Sequence, residues 1–290
     1  MSHTTNKFNL PSVFERFSRK NQHTSGGAEI TVTTLIDSPR VAQLRAIHSD
    51  EIITDISDNA MAILGTAVHE ILRQGASDDS AVEQRLFMSC KGLSISGQID
   101  LIEPYDGGVK VIDYKTSTTT AINFNPEGKS EWHNQLNLYC QLCREAGMDV
   151  KGLEVVAILK DWTKSGQDRY KTYPIAPIIT IPIEMWPEAK ALEYIETCVD
   201  AHRNAKDALC TPQQRWERPE KYAVYVGRRA RAMRVCDTLE EAKEAQASTD
   251  ETSRIEVRPA VNTRCEGDYC SVSKHCKQFQ DIKTNTGDNV

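Results

Sequence analysis

The stretch SGQIDLIEPYDGGVKVIDYK, Ser96 to Lys115, decides how this chain folds. Two strand-like runs, Leu93 to Ile102 and Val109 to Lys115, flank the turn formers Pro104-Tyr105-Asp106-Gly107-Gly108, the pattern of a hairpin. With the turn over residues 105 to 108, Pro104 faces Val109, and facing residue numbers sum to 213. Asp100 and Asp113 meet that sum, so this register predicts cross-strand neighbours with Cβ atoms roughly 4.5–5.5 Å apart. Alternation along the strand puts Lys115 on the face of Asp113. Two adjacent carboxylates repel unless a cation lies between them, and oxygen donors suit Mg²⁺. The plainer reading is a solvated hairpin face with a surface ion pair.

Upstream, Met61 to Arg73 (MAILGTAVHEILR) carries apolar residues near helical spacing, with Ser57 or Asp58 to cap it and Gly75 to end it. His69 follows Gly65 by one turn, and a glycine there allows close approach to another backbone. Downstream, Glu131 to Ala146 is a second amphipathic helix closed by Gly147. Gln135 and Tyr139, four apart, share one of its faces. Singly, His69 reads as an ordinary polar or half-buried residue and Tyr139 as a core residue with a satisfied hydroxyl.

Taken in order, four segments make the chain resemble the PD-(D/E)XK nuclease superfamily. They are Gly65-Thr66-Ala67-Val68-His69, Gly97-Gln98-Ile99-Asp100, Ile112-Asp113-Tyr114-Lys115-Thr116 and Gln135-Leu136-Asn137-Leu138-Tyr139. The resemblance covers about residues 55 to 145 and the cysteine stretch near the end. It looks like the RecB-like branch, with its AddB type and its iron–sulfur nucleases of CRISPR adaptation, and like nucleases encoded by bacteriophages. Ile99 stands where the first motif has a proline, a departure common in that branch. The resemblance implies an α/β, restriction-endonuclease-like core, a central mixed sheet flanked by helices. It also implies that His69, Asp100, Asp113 and the Tyr114 carbonyl bind Mg²⁺ or Mn²⁺. Lys115 would position or deprotonate the attacking water, and Gln135 and Tyr139 would contact DNA or steady the lysine.

Nine cysteines without an export signal point to reduced thiols, some of them metal ligands. Cys265, Cys270 and Cys276 form C-x₄-C-x₅-C, a spacing of soft thiolates that suits an iron–sulfur cluster or zinc. The resemblance implies a [4Fe–4S] cluster completed by one distant cysteine. That partner normally precedes the core, yet the first cysteine here is Cys90. Cys210 is the first candidate for the fourth ligand and Cys236 the second. Cys140 and Cys143, on the Gln135 helix, read as core thiols. Zinc and unliganded structural cysteines are the alternatives.

The formal charge is −6, from 35 Lys and Arg against 41 Asp and Glu, which by itself argues against a general nucleic-acid binder. Locally the balance reverses. Arg215 to Arg234 holds seven basic residues against two glutamates. Arg228, Arg229 and Arg231 at a predicted hairpin tip, with Arg234 on the strand Arg231 to Cys236, suit DNA phosphates, and Trp216 or Tyr225 could stack on an unpaired base. The plainer reading is a solvated basic hairpin balanced by Glu240, Glu241 and Glu244. Gly128-Lys129-Ser130 imitates the end of a phosphate-binding loop, but Asn123 occupies the required glycine position. Neither G-x-G-x-x-G nor G-x-S-x-G occurs. No run of 18 apolar residues and no basic-then-apolar leader is present, so the expected setting is the bacterial host cytoplasm without a membrane.

The expected organisation is a flexible leader (1–27), the nuclease core (28–214), a small basic α+β insertion (215–259), a cysteine-rich cluster-binding segment (260–279) and a flexible tail (280–290). The expected function is a metal-dependent DNA nuclease, an exonuclease of phage replication, recombination or repair, working with DNA and with recombination or replication proteins. A catalytically inactive nuclease-fold DNA-binding subunit and a metal-dependent hydrolase of another substrate are the rivals. The complete Asp100, Asp113, Lys115 set argues against the first, and a substrate screen with and without DNA would decide the second.

Overall fold

The computed structural model describes residues 3–20, 24–169, 172–249 and 252–287. Its hairpin turns through Asp106 and Gly107, with φ of 47° and 73°. Two successive left-handed residues are the mark of a type I′ turn, whose twist matches that of paired strands. The next residue, Gly108, has no room for a side chain, because a Cβ would stand 2.1 Å from the Asp149 carbonyl oxygen.

The chain divides into two compact units, one of Met1–Ala42 with Ile53–Ala208, the other of Gln43–Ile52 with Leu209–Val290. The elements before the second division run β1 (His3–Thr5), α1 (Ser12–Lys20), β2 (Ile30–Thr31), α2 (Val32–Ile36), α3 (Pro39–Ile47), β3 (Ile53–Asp55), α4 (Ala60–Arg73) and β4 (Ala81–Cys90). They continue with β5 (Leu93–Tyr105), β6 (Gly108–Ser117), α5 (Thr119–Phe124), α6 (Ser130–Glu145), β7 (Val150–Leu159), α7 (Lys164–Arg169), β8 (Ile178–Pro182) and α8 (Glu188–Arg203). A six-stranded mixed sheet runs β2-β5-β6-β7-β8, with β4 on β5.

The hairpin register is the expected one, from Tyr105↔Gly108 to Leu101↔Ile112. It stops there, so Asp100 and Asp113 are not the ladder partners the sequence predicts. The strands part because the Asp100 carboxylate accepts the Tyr114 N–H at 2.8 Å, in place of a ladder carbonyl. Strand β6 then keeps only its parallel partner β7, Asp113 opposite Val155 and Lys115 opposite Ala157. On β5, β4 lines one edge, while β6 and β2 share the other and leave Gly97 to Asp100 without a ladder partner between them. That gap holds the chemistry.

Helix α6 covers the sheet, burying Leu136, Leu138, Leu142 and Cys143 to 1% exposure or less. Each buried leucine contributes about 1.5–3 kcal/mol. The helix ends as a Schellman turn: Gly147 has φ 79°, and Met148 N–H donates to the Cys143 carbonyl at 2.9 Å. Helix α4 is not capped by Ser57 or Asp58. Asp55 instead caps a 3₁₀ turn at Ile56–Asn59, with Asp58 completing a capping box.

Residues 1–27, expected as a flexible leader, contain β1 and α1; Met1, Ser2, Asn21, Gln22 and His23 lie outside the described residues. β1 pairs in parallel with β3. Buried Asp55 accepts from Thr5 Oγ1 at 2.7 Å, Lys7 N–H at 2.9 Å and Ser57, which holds its carboxyl far below the usual carboxylate range.

The second unit contains β9 (Glu217–Arg218), β10 (Lys221–Val226), β11 (Arg234–Cys236), α9 (Leu239–Ala247), β12 (Ser253–Arg258), β13 (Val261–Asn262), α10 (Thr263–Glu266) and α11 (Lys277–Gly287). A sheet ordered β11-β10-β12 carries α9, with Val224, Cys236, Ala242 and Ala245 as a small core. Helix α11 occupies most of the stretch expected as a flexible tail, and residues 288–290 lie outside the described ones. The expected boundary at 214/215 falls inside this unit, which starts at Leu209 and includes Gln43–Ile52.

Candidate active site

Strand β6 presents Asp113 and Lys115 on one side of the sheet, and α6 lies against it. Asp113 is 2% exposed. Lys115 Nζ stands 2.6 Å from Asp113 Oδ2 and donates to Gln135 Oε1 at 3.1 Å. Gln135 Nε2 donates to Asp113 Oδ1 at 3.1 Å and points to Tyr139 Oη at 2.8 Å. One amide therefore holds both ends of the Asp–Lys pair. Tyr139 reaches it because Gly97 has no side chain: a Cβ there would stand 2.7 Å from Tyr139 Cε1 and 2.6 Å from Leu142 Cδ1.

Burial pushes the Asp113 carboxyl up to about 6; Lys115 opposes the rise and the neighbouring Asp100 charge adds to it. Oδ2 has lysine charge beside it but accepts no aligned hydrogen bond. A buried carboxylate oxygen left in that state is a fitting ligand for a cation.

Across the gap, α4 supplies His69. Its Nδ1 lies 3.3 Å from Asp100 Oδ1 and 3.6 Å from Glu83 Oε1, and its Nε2 lies 3.2 Å from the Tyr114 carbonyl oxygen. Both ring nitrogens thus face acceptors. The hydrogen bond to Asp100 raises the His69 pKa against the opposing effect of burial, helped by the Asp100, Glu83 and Asp113 charges. A proton on the imidazole supplies positive charge that a metal ion would replace. One ligand atom each from His69, Glu83 and Asp100 fall within 4.8 Å of one another. Imidazole, carboxylates and a carbonyl make a donor set suited to a divalent cation.

Glu83 is the residue that sequence reasoning missed. It lies on β4, a strand not anticipated, at φ 50°, an uncommon conformation for glutamate. Gln98 Nε2 donates to its Oε2 at 2.5 Å, and Gln98 Oε1 accepts from Arg85. No pairing of this strand is expected from the sequence; in the structure the β4–β5 register sums to 183 on both sides of Glu83, from Val82↔Leu101 to Gln84↔Ile99, which leaves Glu83 across from Asp100.

Gly65 does not bring α4 against another backbone. A Cβ at that position meets nothing within 4 Å, so the space one turn before His69 is open.

The second unit gathers Cys210, Cys265, Cys270 and Cys276, all buried. Burial pushes the Cys265 thiol up to about 11, and the thiols of Cys270, Cys210 and Cys276 add to the rise. The Cys210 backbone is held by Gln278, which accepts its N–H at 2.8 Å and donates to its carbonyl at 2.9 Å, and by Arg215. The other three thiols lie within electrostatic reach of Cys265, and four cysteine thiols are the donor set of an iron–sulfur cluster. Cys236, the second candidate, packs instead with Val224, Ala242 and Ala245. Cys140 and Cys143 are fully buried in the main core.

Arg228, Arg229 and Arg231 lie exposed on the loop between β10 and β11, and Arg234 opens β11. Arg231, Arg234 and Arg258 line a shallow cavity of about 550 Å³. Tyr225 is not available for stacking, because it is buried, covered by Arg254 at 4.6 Å from its ring centre, and bonded to Arg258 at its hydroxyl. Trp216 is half exposed and lies 5.4 Å from the Tyr269 ring.

Residues 62–277 match the model of the PD-(D/E)XK nuclease superfamily. Among solved structures, the crystal structure of SSO0001 is similar, with a TM-score of 0.46 and 19% identity, covering 71% of this chain and 86% of that one. Comparison with curated proteins gives no match. Among the described residues no helix is long and apolar enough to cross a membrane.

Proposed function

The chain belongs to the PD-(D/E)XK nuclease superfamily, and on that premise we propose that it is a Mg²⁺- or Mn²⁺-dependent deoxyribonuclease. We read it as an exonuclease of the RecB-like, iron–sulfur type, at work in DNA replication, recombination or repair in a phage-infected bacterial cytoplasm. The observation that carries this reading is Lys115 Nζ, set between Asp113 and Gln135 at the gap in the sheet.

His69, Asp100, Asp113 and the Tyr114 carbonyl would hold the cation, joined by Glu83. A divalent cation bound there neutralises phosphate charge and lowers the pKa of water. The lysine ammonium has three N–H bonds. One is given to Gln135 and one faces Asp113, which leaves a third for the attacking water or a phosphate oxygen. Gln135, anchored at Tyr139, stops Lys115 from swinging away. The open space at Gly65 gives a DNA strand access to the His69 side. The four cysteines would hold a [4Fe–4S] cluster, and the arginines between β10 and β11 would grip backbone phosphates.

Linear, circular and single-stranded DNA incubated with the protein and Mg²⁺ test the reading together. Linear DNA should be degraded from its ends, and Asp113→Ala or Lys115→Ala should abolish cleavage. Full activity in either variant overturns the assignment. Reversing the charges of Arg228 and Arg229 should weaken DNA binding and flatten its salt dependence.

A further inference from the structure

A second cluster of ligating side chains lies in the second unit, formed by His48 and Glu51 with His275, the neighbour of Cys276 in sequence. Helix α3 ends at Ile47, and His48 to Ile52 form a tight turn in which Glu51 N–H and Ile52 N–H both donate to the His48 carbonyl. His275 sits on a 3₁₀ turn at Ser273–His275. The two imidazoles stack with centroids 4.0 Å apart and planes 16° apart. Both turn Nδ1 toward one carboxylate: His48 Nδ1 is 2.7 Å from Glu51 Oε1, and His275 Nδ1 is 3.9 Å from Glu51 Oε2. The rings are mostly shielded, with side chains 24% and 22% exposed.

We propose that His48, Glu51 and His275 form a binding site for a divalent transition metal of the zinc class. Two imidazoles and one carboxylate are a zinc donor set that leaves the fourth position to water. Bonds of about 2.0–2.2 Å in a tetrahedron place ligand atoms roughly 3.3 Å apart. The two observed N···O distances, 2.7 and 3.9 Å, bracket that value; because an imidazole donates its lone pair in its own plane, binding also requires the two parallel rings to turn out of their stack until both Nδ1 atoms aim at one point. The three ligand atoms already lie within 4.8 Å of one another. Nitrogen and oxygen donors distinguish the site from the cysteines.

The metal is a clip. Segment Gln43–Ile52 belongs to the same compact unit as Leu209–Val290 although more than 150 residues separate the two in sequence. Besides the cluster, Arg45 Nε donates to Ser271 Oγ at 3.1 Å. A metal ion joining His48 and Glu51 to His275 fastens that segment beside Cys276, and its binding energy adds to the stability of the unit. The proposal depends neither on the nuclease reading nor on the occupant of the cysteines.

The test uses the full chain, purified anaerobically, freed of loosely bound metal and titrated with Zn²⁺ and then with Co²⁺ as a spectroscopic stand-in. Wild type should bind, beside any ion held at His69 and Asp100, an ion that raises its melting temperature and is lost in the variants below, and Co²⁺ bound there should show weak ligand-field bands without the intense charge transfer of thiolates. His48→Ala and Glu51→Gln should each weaken binding at least tenfold and lose the thermal shift. Glu51 is exposed, so Glu51→Gln keeps the fold even if the His275 turn is sensitive. Unchanged affinity in both variants, or thiolate bands on the bound Co²⁺, overturns the proposal.

Discussion

Gln135 Nε2 donates to Asp113 Oδ1 across the boundary between α6 and β6, 3.1 Å away. Because Gln135 Oε1 accepts from Lys115 at the same time, the amide orientation is set from both ends. Gln135→Leu should therefore lower kcat by about 10²-fold, the scale of a misplaced catalytic group, and leave KM within a few-fold. Circular dichroism should show an intact fold. Gln135→Asn keeps the amide but cannot reach, so it should lose as much; an undiminished kcat in Gln135→Leu would show that the amide does not position Lys115.

Asp113 opposes stability where it is charged. Its folded pKa is about 6, above the ordinary value of about 3.9. A carboxyl raised on folding contributes its stability below the unfolded pKa and loses it as pH climbs through the folded one. Asp113→Asn removes that titration. The metal-free variant should melt a few degrees above wild type at pH 8, and the gap should close between pH 6 and pH 4. Thermal melts with chelator present read this directly. A variant that is less stable than wild type at pH 8 would mean that the Lys115 ion pair outweighs burial.

The hairpin register is readable because Asp106-Gly107 permits few turns, and a two-residue turn fixes which residues face each other. Where the ladder ends is a different kind of fact. It depends on one hydrogen bond, Tyr114 N–H to Asp100, that no periodicity reports. Glu83 is hidden for a related reason. Its strand runs Ala81-Val82-Glu83-Gln84-Arg85, with no clean alternation, and its backbone departs from the extended region at the position that matters. Likewise Gly65 and Gly97 look alike in sequence. One sits against nothing and the other lies under Tyr139, a difference that only packing decides.

Gly65 separates stability from activity. Glycine inside a helix costs about 1 kcal/mol relative to alanine, and a Cβ here meets nothing. Gly65→Ala should raise the melting temperature by about 2–4 °C. Gly65→Tyr should fold as well as wild type yet lose most of its DNA cleavage, because the ring fills the space beside His69. Normal cleavage by Gly65→Tyr would place the DNA path elsewhere.

The cysteines can be sorted by one comparison. Cys210 shares its surroundings with Cys265, Cys270 and Cys276, whereas Cys236 is buried among Val224, Ala242 and Ala245. Anaerobically purified wild type should carry iron and acid-labile sulfide and absorb in the visible. Cys210→Ser should lose most of that iron, because a hard hydroxyl is a poor substitute for a thiolate. Cys236→Ser should keep the iron and lose stability instead, since a hydroxyl replaces a buried thiol with no partner provided for it. An iron-free, zinc-loaded wild type would assign the four thiols to zinc. Iron retained in Cys210→Ser but lost in Cys236→Ser would reverse the choice of ligand.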